Sequence, residues 1–389
     1  MAEEKAEKKK ARMNKRARKR LCCAAILVII ALFVLGVLWI GGRSAFQSAE
    51  KKLAAIEAAR AIPDEENAAL IYSQLVDDYD EGSLWPDILN RETDALTKSE
   101  PWLSKDYPEL ADWLNEQQGT ISKLLEASKK DECRFPISID PQAMADRMQL
   151  LRTMRRWAYL LVRAGNNDMA EGRLDAGLEK YLCLVQMGRH MRQQPVLVEY
   201  LVGTSIEALG LAAVARLTVE GGATETHLKM IEAALPQTKN NWSEDSSILR
   251  EVERLCSRIR YSPLRRLILV WRYREYRERE IFDRIHDIYL RSLASGRGNR
   301  ILIVLRRYET KTGKWPKSLD EIQSSLSEEI LTDPFNSGSF VYKLTDDSFR
   351  LYSRGKNNID EDGSYRGAAD DWPIWPPIGR KTDDGDKKS

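Results

Sequence analysis

Hydrophobic and polar positions along the chain follow three regimes in succession. Leu21–Ile40 is an unbroken apolar run of twenty residues with no charge or proline. Beyond it, to about residue 296, apolar residues recur at three- and four-residue steps, the spacing that lays one face of a helix against a core. From residue 297 the pattern shortens to one amphipathic helix followed by segments that read as strands.

The first regime predicts a transmembrane helix at residues 21–41. Twenty helical residues rise about 30 Å, the thickness of the hydrocarbon layer, and a helix satisfies its own backbone groups there. Residues 1–20 carry ten Lys and Arg against three Glu. By the positive-inside rule this basic tail is cytoplasmic and the C-terminal bulk lies outside the cytoplasm. A cleaved signal peptide fits less well: its apolar region is only about 7–15 residues, and Ile40-Gly41-Gly42-Arg43 offers no cleavage pattern. The expectation is a single-pass cell-membrane protein touching lipid through residues 21–41. Cys22 and Cys23 read as small apolar members of the run rather than as acylation sites.

Residues 42–140 read as a helical stalk and cap. Leu53, Ile56 and Ala59 keep helical spacing up to Pro63; Ala68, Ile71, Tyr72, Leu75 and Val76 resume it, and a further helix is expected over Glu109–Lys130. Residues 141–296 carry the strongest helical signal. Met144, Met148, Leu151, Met154, Ala158 and Leu161 share one face, Leu178, Tyr181, Leu182 and Val185 a second, and Val202, Ile206, Leu209 and Ala213 a third. The short connections between them imply antiparallel helical neighbours. Aromatic residues around Phe282 and Tyr289 are interleaved with Arg but also with Glu and Asp, which predicts a salt-bridged helix with a packed aromatic face rather than a nucleic-acid surface.

Composition changes again at Ala294–Asn299, and residues 297–378 read as a small α+β unit: a helix through Ile301, Val304, Leu305 and Tyr308, then strands at Ser339–Leu344 and Ser348–Ser353. Residues 379–389 read as a polar, disordered tail. The fold class expected is thus mainly α, with one N-terminal transmembrane helix, an extracytoplasmic helical-hairpin domain and a small C-terminal α+β domain.

Charge and composition narrow the function classes. A formal net charge of +2 for the whole chain argues against a nucleic-acid partner. Cys133, Cys183 and Cys256 have no CxxC spacing, so neither a zinc knuckle nor a redox dithiol is expected. His190, His227 and His286 stand apart, without HExxH spacing, a nucleophile elbow or a phosphate-binding glycine loop nearby. A non-enzyme is therefore the preferred reading.

The candidate chemistry lies in the segment NIDEDGSYRGAADDW. Ca²⁺ takes six to eight oxygen ligands, and a glycine-containing loop can fold carboxylates and carbonyls around it. Asp360, Asp362 and Asp370 are the candidate ligands, with Asp371 a less secure fourth; a solvated acidic loop is the alternative reading. Such an ion would be structural, locking the last loop against the hairpin. The twelve-residue EF-hand pattern is absent.

Two resemblances add expectations. GRLDAGLEKYLCLV at Gly172–Val185 resembles the second helix of a tetratricopeptide repeat, with Gly172, Gly177 and Tyr181 at the turn, small-contact and aromatic positions. That resemblance implies helix-pair packing and a protein-binding groove. RRYETKTGKWPKSLDEI, LTDPFNSGSFVYKL, FRLYSRGKNNIDEDG and AADDWPIW resemble the C-terminal globular domain of type II secretion major pseudopilins, over about Ile301–Trp375. Tyr308, Gly313, Trp315, Pro316, Leu319, Asp333, Pro334, Phe335, Tyr342, Ser353, Gly355 and Asp370 carry the match. It implies a helix, hairpin and calcium-loop fold. The chain departs from that family in lacking its N-terminal processing sequence, in its long helical insertion, and in carrying Asn357-Asn358 after Gly355. The functional expectation is a membrane-anchored interaction or scaffold protein with an unidentified protein partner. The alternatives are a secretion- or pilus-associated envelope component and, third, an unrecognised envelope hydrolase.

Overall fold

The structure is a computed structural model that describes residues 44, 46–77, 89–137, 140–220, 222–235, 239–260 and 274–377. The expected basic tail 1–20, membrane helix 21–41 and polar tail 379–389 lie outside the described residues. The chain divides into two units, one of residues 1–59 and 253–278, the other of residues 60–252 and 279–389. In its described part the first is helical, including residues 46–59.

The second unit is built on helices α1 (Ala68–Asp77), α2 (Arg91–Ser99), α3 (Pro108–Glu116), α4 (Gln118–Ser128), α5 (Pro141–Ala170), α6 (Leu174–Arg192), α7 (Leu197–Glu220) and α8 (Glu225–Ala234). Helices α9 (Trp242–Arg260) and α10 (Arg274–Thr312) enter it in part, and α11 (Glu328–Leu331) precedes the strands β1 (Val341–Leu344), β2 (Phe349–Ser353) and β3 (Trp372–Trp375). The mainly helical class and the small terminal β-sheet are as expected.

The membrane expectation is corrected. Among the described residues, the helix with the length and composition to cross a membrane is α7, Leu197–Glu220, in the middle of the chain and not at its N-terminus. The N-in topology drawn from residues 21–41 is set aside with it. α7 is a weak membrane candidate, because 56% of its most apolar window is buried inside the protein. A helix apolar on nearly every side is what the centre of a helical core also requires.

α5, α6 and α7 form that centre. Asp140 caps α5 by accepting from the Ala143 N–H at 3.0 Å, and Pro141 occupies the first turn, where its missing N–H costs nothing. Gly172 turns the chain out of α5 at φ +77°, and Gly177 lets α6 approach it: a Cβ there would stand 3.2 Å from the Gly165 carbonyl. Tyr181 reaches back across this contact, donating to Asn166 Oδ1 at 2.7 Å. Trp157, Met154, Leu160, Leu178 and Leu184 fill the core between these helices. Met148, expected on the buried face of α5, is 48% exposed.

The composition break at Ala294–Asn299 does not end a helix. α10 runs through it for 39 residues, and Gly298 is needed there because a Cβ would strike Ile374 of β3. The sheet is antiparallel in the order β1-β2-β3, with Val341 opposite Tyr352 and Ser353 opposite Trp372. β3 was not expected from the sequence; Pro373 is tolerated because β3 is an edge strand. Phe349, Leu351, Ile374 and Trp375 pack with Ile301, Leu302 and Leu305 of α10 in a second core. Phe282, Ile285 and Tyr289 of α10 form a third with Tyr200 and Leu249, the packed aromatic face expected there.

Candidate cation site

The loop between β2 and β3 is shaped by residues at positive φ: Gly355 (+59°), Asn358 (+56°), Asp362 (+57°), Gly363 (+74°) and Gly367 (+66°). Its entrance is pinned by the Asp333 turn. Asp333, fully buried, accepts from the Phe335 N–H at 3.0 Å and from Asn336 Nδ2 at 2.9 Å, and Asn336 Nδ2 also donates to the Gly355 carbonyl at 3.1 Å. Burial raises the Asp333 carboxyl above its ordinary range against these hydrogen bonds. Gly355 is demanded twice over, by its backbone angle and because a Cβ would overlap Asp370.

Glu361, Asp370 and Asp371 come together here, each with a carboxylate oxygen within 4.8 Å of the other two. The backbone fixes one side of each carboxylate. Asp370 Oδ2 accepts from the Lys356 and Asn357 N–H groups at 3.0 and 3.1 Å. Asp371 Oδ2 accepts from Glu361 and Gly363 at 2.9 and 2.8 Å, and Glu361 Oε2 accepts from Asp370 at 2.7 Å. Glu361 Oε1 also accepts from Asn357 Nδ2 at 3.1 Å, whereas Asp370 Oδ1 and Asp371 Oδ1 are buried with no hydrogen-bond partner. Among the described residues no basic side chain pairs with any of the three. Asp371 is wholly buried, and burial raises its carboxyl, reinforced by the neighbouring Glu361 and Asp360 charges.

Of the residues singled out from sequence, Asp370 lies in this cluster, joined by Asp371. Asp360 and Asp362 face the hairpin instead. Asp360 accepts from Tyr352 Oη at 2.7 Å and pairs with Lys343 at 3.1 Å; Asp362 pairs with Lys343 at 2.9 Å and Arg350 at 3.0 Å. The Tyr352 hydrogen bond, with help from Lys343, holds the Asp360 carboxyl below its ordinary range. Glu361 was missed. Its only sequence signal was its place between two aspartates, which does not rank it above them.

The donor set suits a hard divalent cation. Three carboxylates supply charge, and two of them present buried oxygens that lack a proton donor, the situation an ion relieves. The histidines form no comparable centre: His227 meets Asp175 at 2.8 Å, His286 stacks on Trp242 at 4.9 Å, and His190 is sealed in the helical core. Comparison with protein families, characterised proteins and solved structures finds no match. The functional reading rests on geometry.

Proposed function

We propose that the chain is a non-catalytic interaction or scaffold protein whose C-terminal α+β unit is locked by a bound Ca²⁺. The observation that carries the reading is the pair of buried, unpartnered oxygens, Asp370 Oδ1 and Asp371 Oδ1, beside Glu361. An ion held by these carboxylates ties the loop after β2 to the start of β3, so the terminal unit presents one surface rather than a set of loop conformers. The antiparallel α5–α7 packing, with the helix-pair contact at Gly177, supplies a rigid platform of the kind interaction domains use.

A second reading, a secretion- or pilus-associated component, is favoured by one feature. Helix, hairpin and carboxylate loop follow one another in α10, β1–β2 and the segment after β2, in the order the pseudopilin resemblance implies.

Thermal unfolding of the full chain tests the ion. Ca²⁺ at a hundredfold excess over its Kd is expected to stabilise the protein by about 2.7 kcal/mol relative to chelator. Asp371→Asn should abolish that increment, whereas Asp362→Asn, which removes a ligand of Lys343 and Arg350, should retain it. An equal response in both variants would sink the assignment. A pull-down with wild type and Asp371→Asn then reads the interaction claim: a partner retained by the first and lost from the second is expected.

A further inference from the structure

A second feature begins where the carboxylate loop ends, at Trp372 after Asp371. α5, α7, α10 and β3 enclose a cleft of about 320 Å³, at the small end of ligand-site volumes. Its walls are mostly apolar, with Ile206, Leu209 and Ala212 on α7 facing Trp372 and Ile374 on β3. Tyr159, Ser205, Ser295, Arg155 and Asn299 break this lining, and the last two decide what it can bind. Arg155, exposed on α5, is the single charged residue of the wall, and among the described residues no carboxylate or other acceptor pairs with it. Asn299, 3% exposed, donates through Nδ2 to the Ser295 carbonyl at 2.9 Å, but its Oδ1 is buried without a donor.

A free cation at an apolar cleft calls for an anion on an apolar body, and a buried, unpaired acceptor calls for an N–H or O–H. We propose that the cleft binds a small apolar carboxylate carrying one such donor, of the N-acyl apolar amino acid class. The carboxylate pairs with Arg155, the acyl and side-chain carbons cover Leu209, Ala212 and Trp372, and the amide N–H meets Asn299 Oδ1. The volume matches about ten water molecules, room for one acylated residue and not for a longer chain. The inference does not rest on the cation site or on the scaffold reading, although Trp372 of the cleft directly follows Asp371.

N-acetyl-leucine is the probe, titrated against the full chain by saturation-transfer NMR. A ligand of this size with ordinary efficiency binds with a Kd on the order of millimolar. N-acetyl-leucine amide, which lacks the charge, should bind about tenfold more weakly. Arg155→Gln should lose the same factor without a change in melting temperature, since the side chain is exposed, and Ala212→Phe should block the cleft. A leucine-terminated hexapeptide should bind no better than the single residue. No detectable binding, equal binding of acid and amide, undiminished binding by Arg155→Gln, or much tighter binding of the hexapeptide would overturn the proposal.

Discussion

Gly188→Ala is expected to lower the stability of the protein by about 3–5 kcal/mol, the range in which core overpacking adds to the breaking of a buried ion pair. Gly188 lies where α6 crosses α7. A Cβ there would stand 2.5 Å from the backbone nitrogen and 2.5 Å from the Cβ of Glu207. The obstacle is backbone, so no rotamer change relieves it. Gly203 and Gly210 make the same close contact from the other side, the first with the Gly188 carbonyl 2.6 Å from its would-be Cβ, the second with the Val185 nitrogen at 2.9 Å. Separating the helices also strains the pair between Arg192 Nη1 and Glu207 Oε2, at 2.5 Å, whose carboxylate is fully buried. At about 2–4 °C per kcal/mol, the melting temperature should fall by roughly 10 °C. Gly119→Ala is the control: a Cβ there meets nothing within 4 Å inside α4. It should be neutral or stabilise by up to about 1 kcal/mol through helix propensity. Equal melting temperatures for Gly188→Ala and wild type would show that the helices are not in this contact.

Acidification is expected to remove about 3 kcal/mol of stability through His190 alone. The ring is fully buried, between Tyr72 Oη at 2.9 Å on Nδ1 and the Lys130 carbonyl at 2.8 Å from Nε2. The neutral ring that donates from Nε2 and accepts at Nδ1 satisfies both partners. Burial lowers its pKa to about 4 from the ordinary 6.5. Because the unfolded chain binds the proton first, the contribution is fully present above the unfolded value, near pH 6.5, and is lost as pH falls toward 4. Urea unfolding across that window should show a steeper loss for wild type than for His190→Gln, which has no titrating ring. Parallel pH profiles for the two proteins would refute the assignment. The variant should also be less stable at neutral pH, since Tyr72 and the 130–135 segment lose their common partner.

The helical centre was legible because burial there follows helical period: Leu151, Met154, Ala158 and Leu161 of α5 are all buried, as their spacing requires. The hairpin was legible to within two residues, since β1 and β2 fall inside the expected strands. What escaped depends on partners distant in sequence. Gly296 and Gly298 read as a break, yet Gly298 serves the approach of β3 from 76 residues away, at Ile374. Pro373 hid β3, because edge position is a property of the sheet and not of the strand. In the loop, the acidic, glycine-containing composition made Asp360 and Asp362 candidates, but Lys343 and Arg350 of the neighbouring strands claim those two. Glu361 and Asp371 are left facing Asp370 because of backbone turns at Asp362 and Gly363 that no local pattern ranks. The N-terminal membrane expectation rested on the length and apolar composition of residues 21–40 and on the basic residues before them, and α7 passes the same length and composition test from inside a packed core.

Backbone amide exchange with and without Ca²⁺ tests the cation lock most directly. The N–H groups of Lys356, Asn357, Glu361, Gly363 and Asp370 all donate to the three clustered carboxylates. Saturating Ca²⁺ is expected to slow their exchange together, by about a hundredfold for a stabilisation near 2.7 kcal/mol, while amides of α5 and α6 keep their rates where they do not report global unfolding. Unchanged exchange at these five amides in saturating Ca²⁺ would contradict the account.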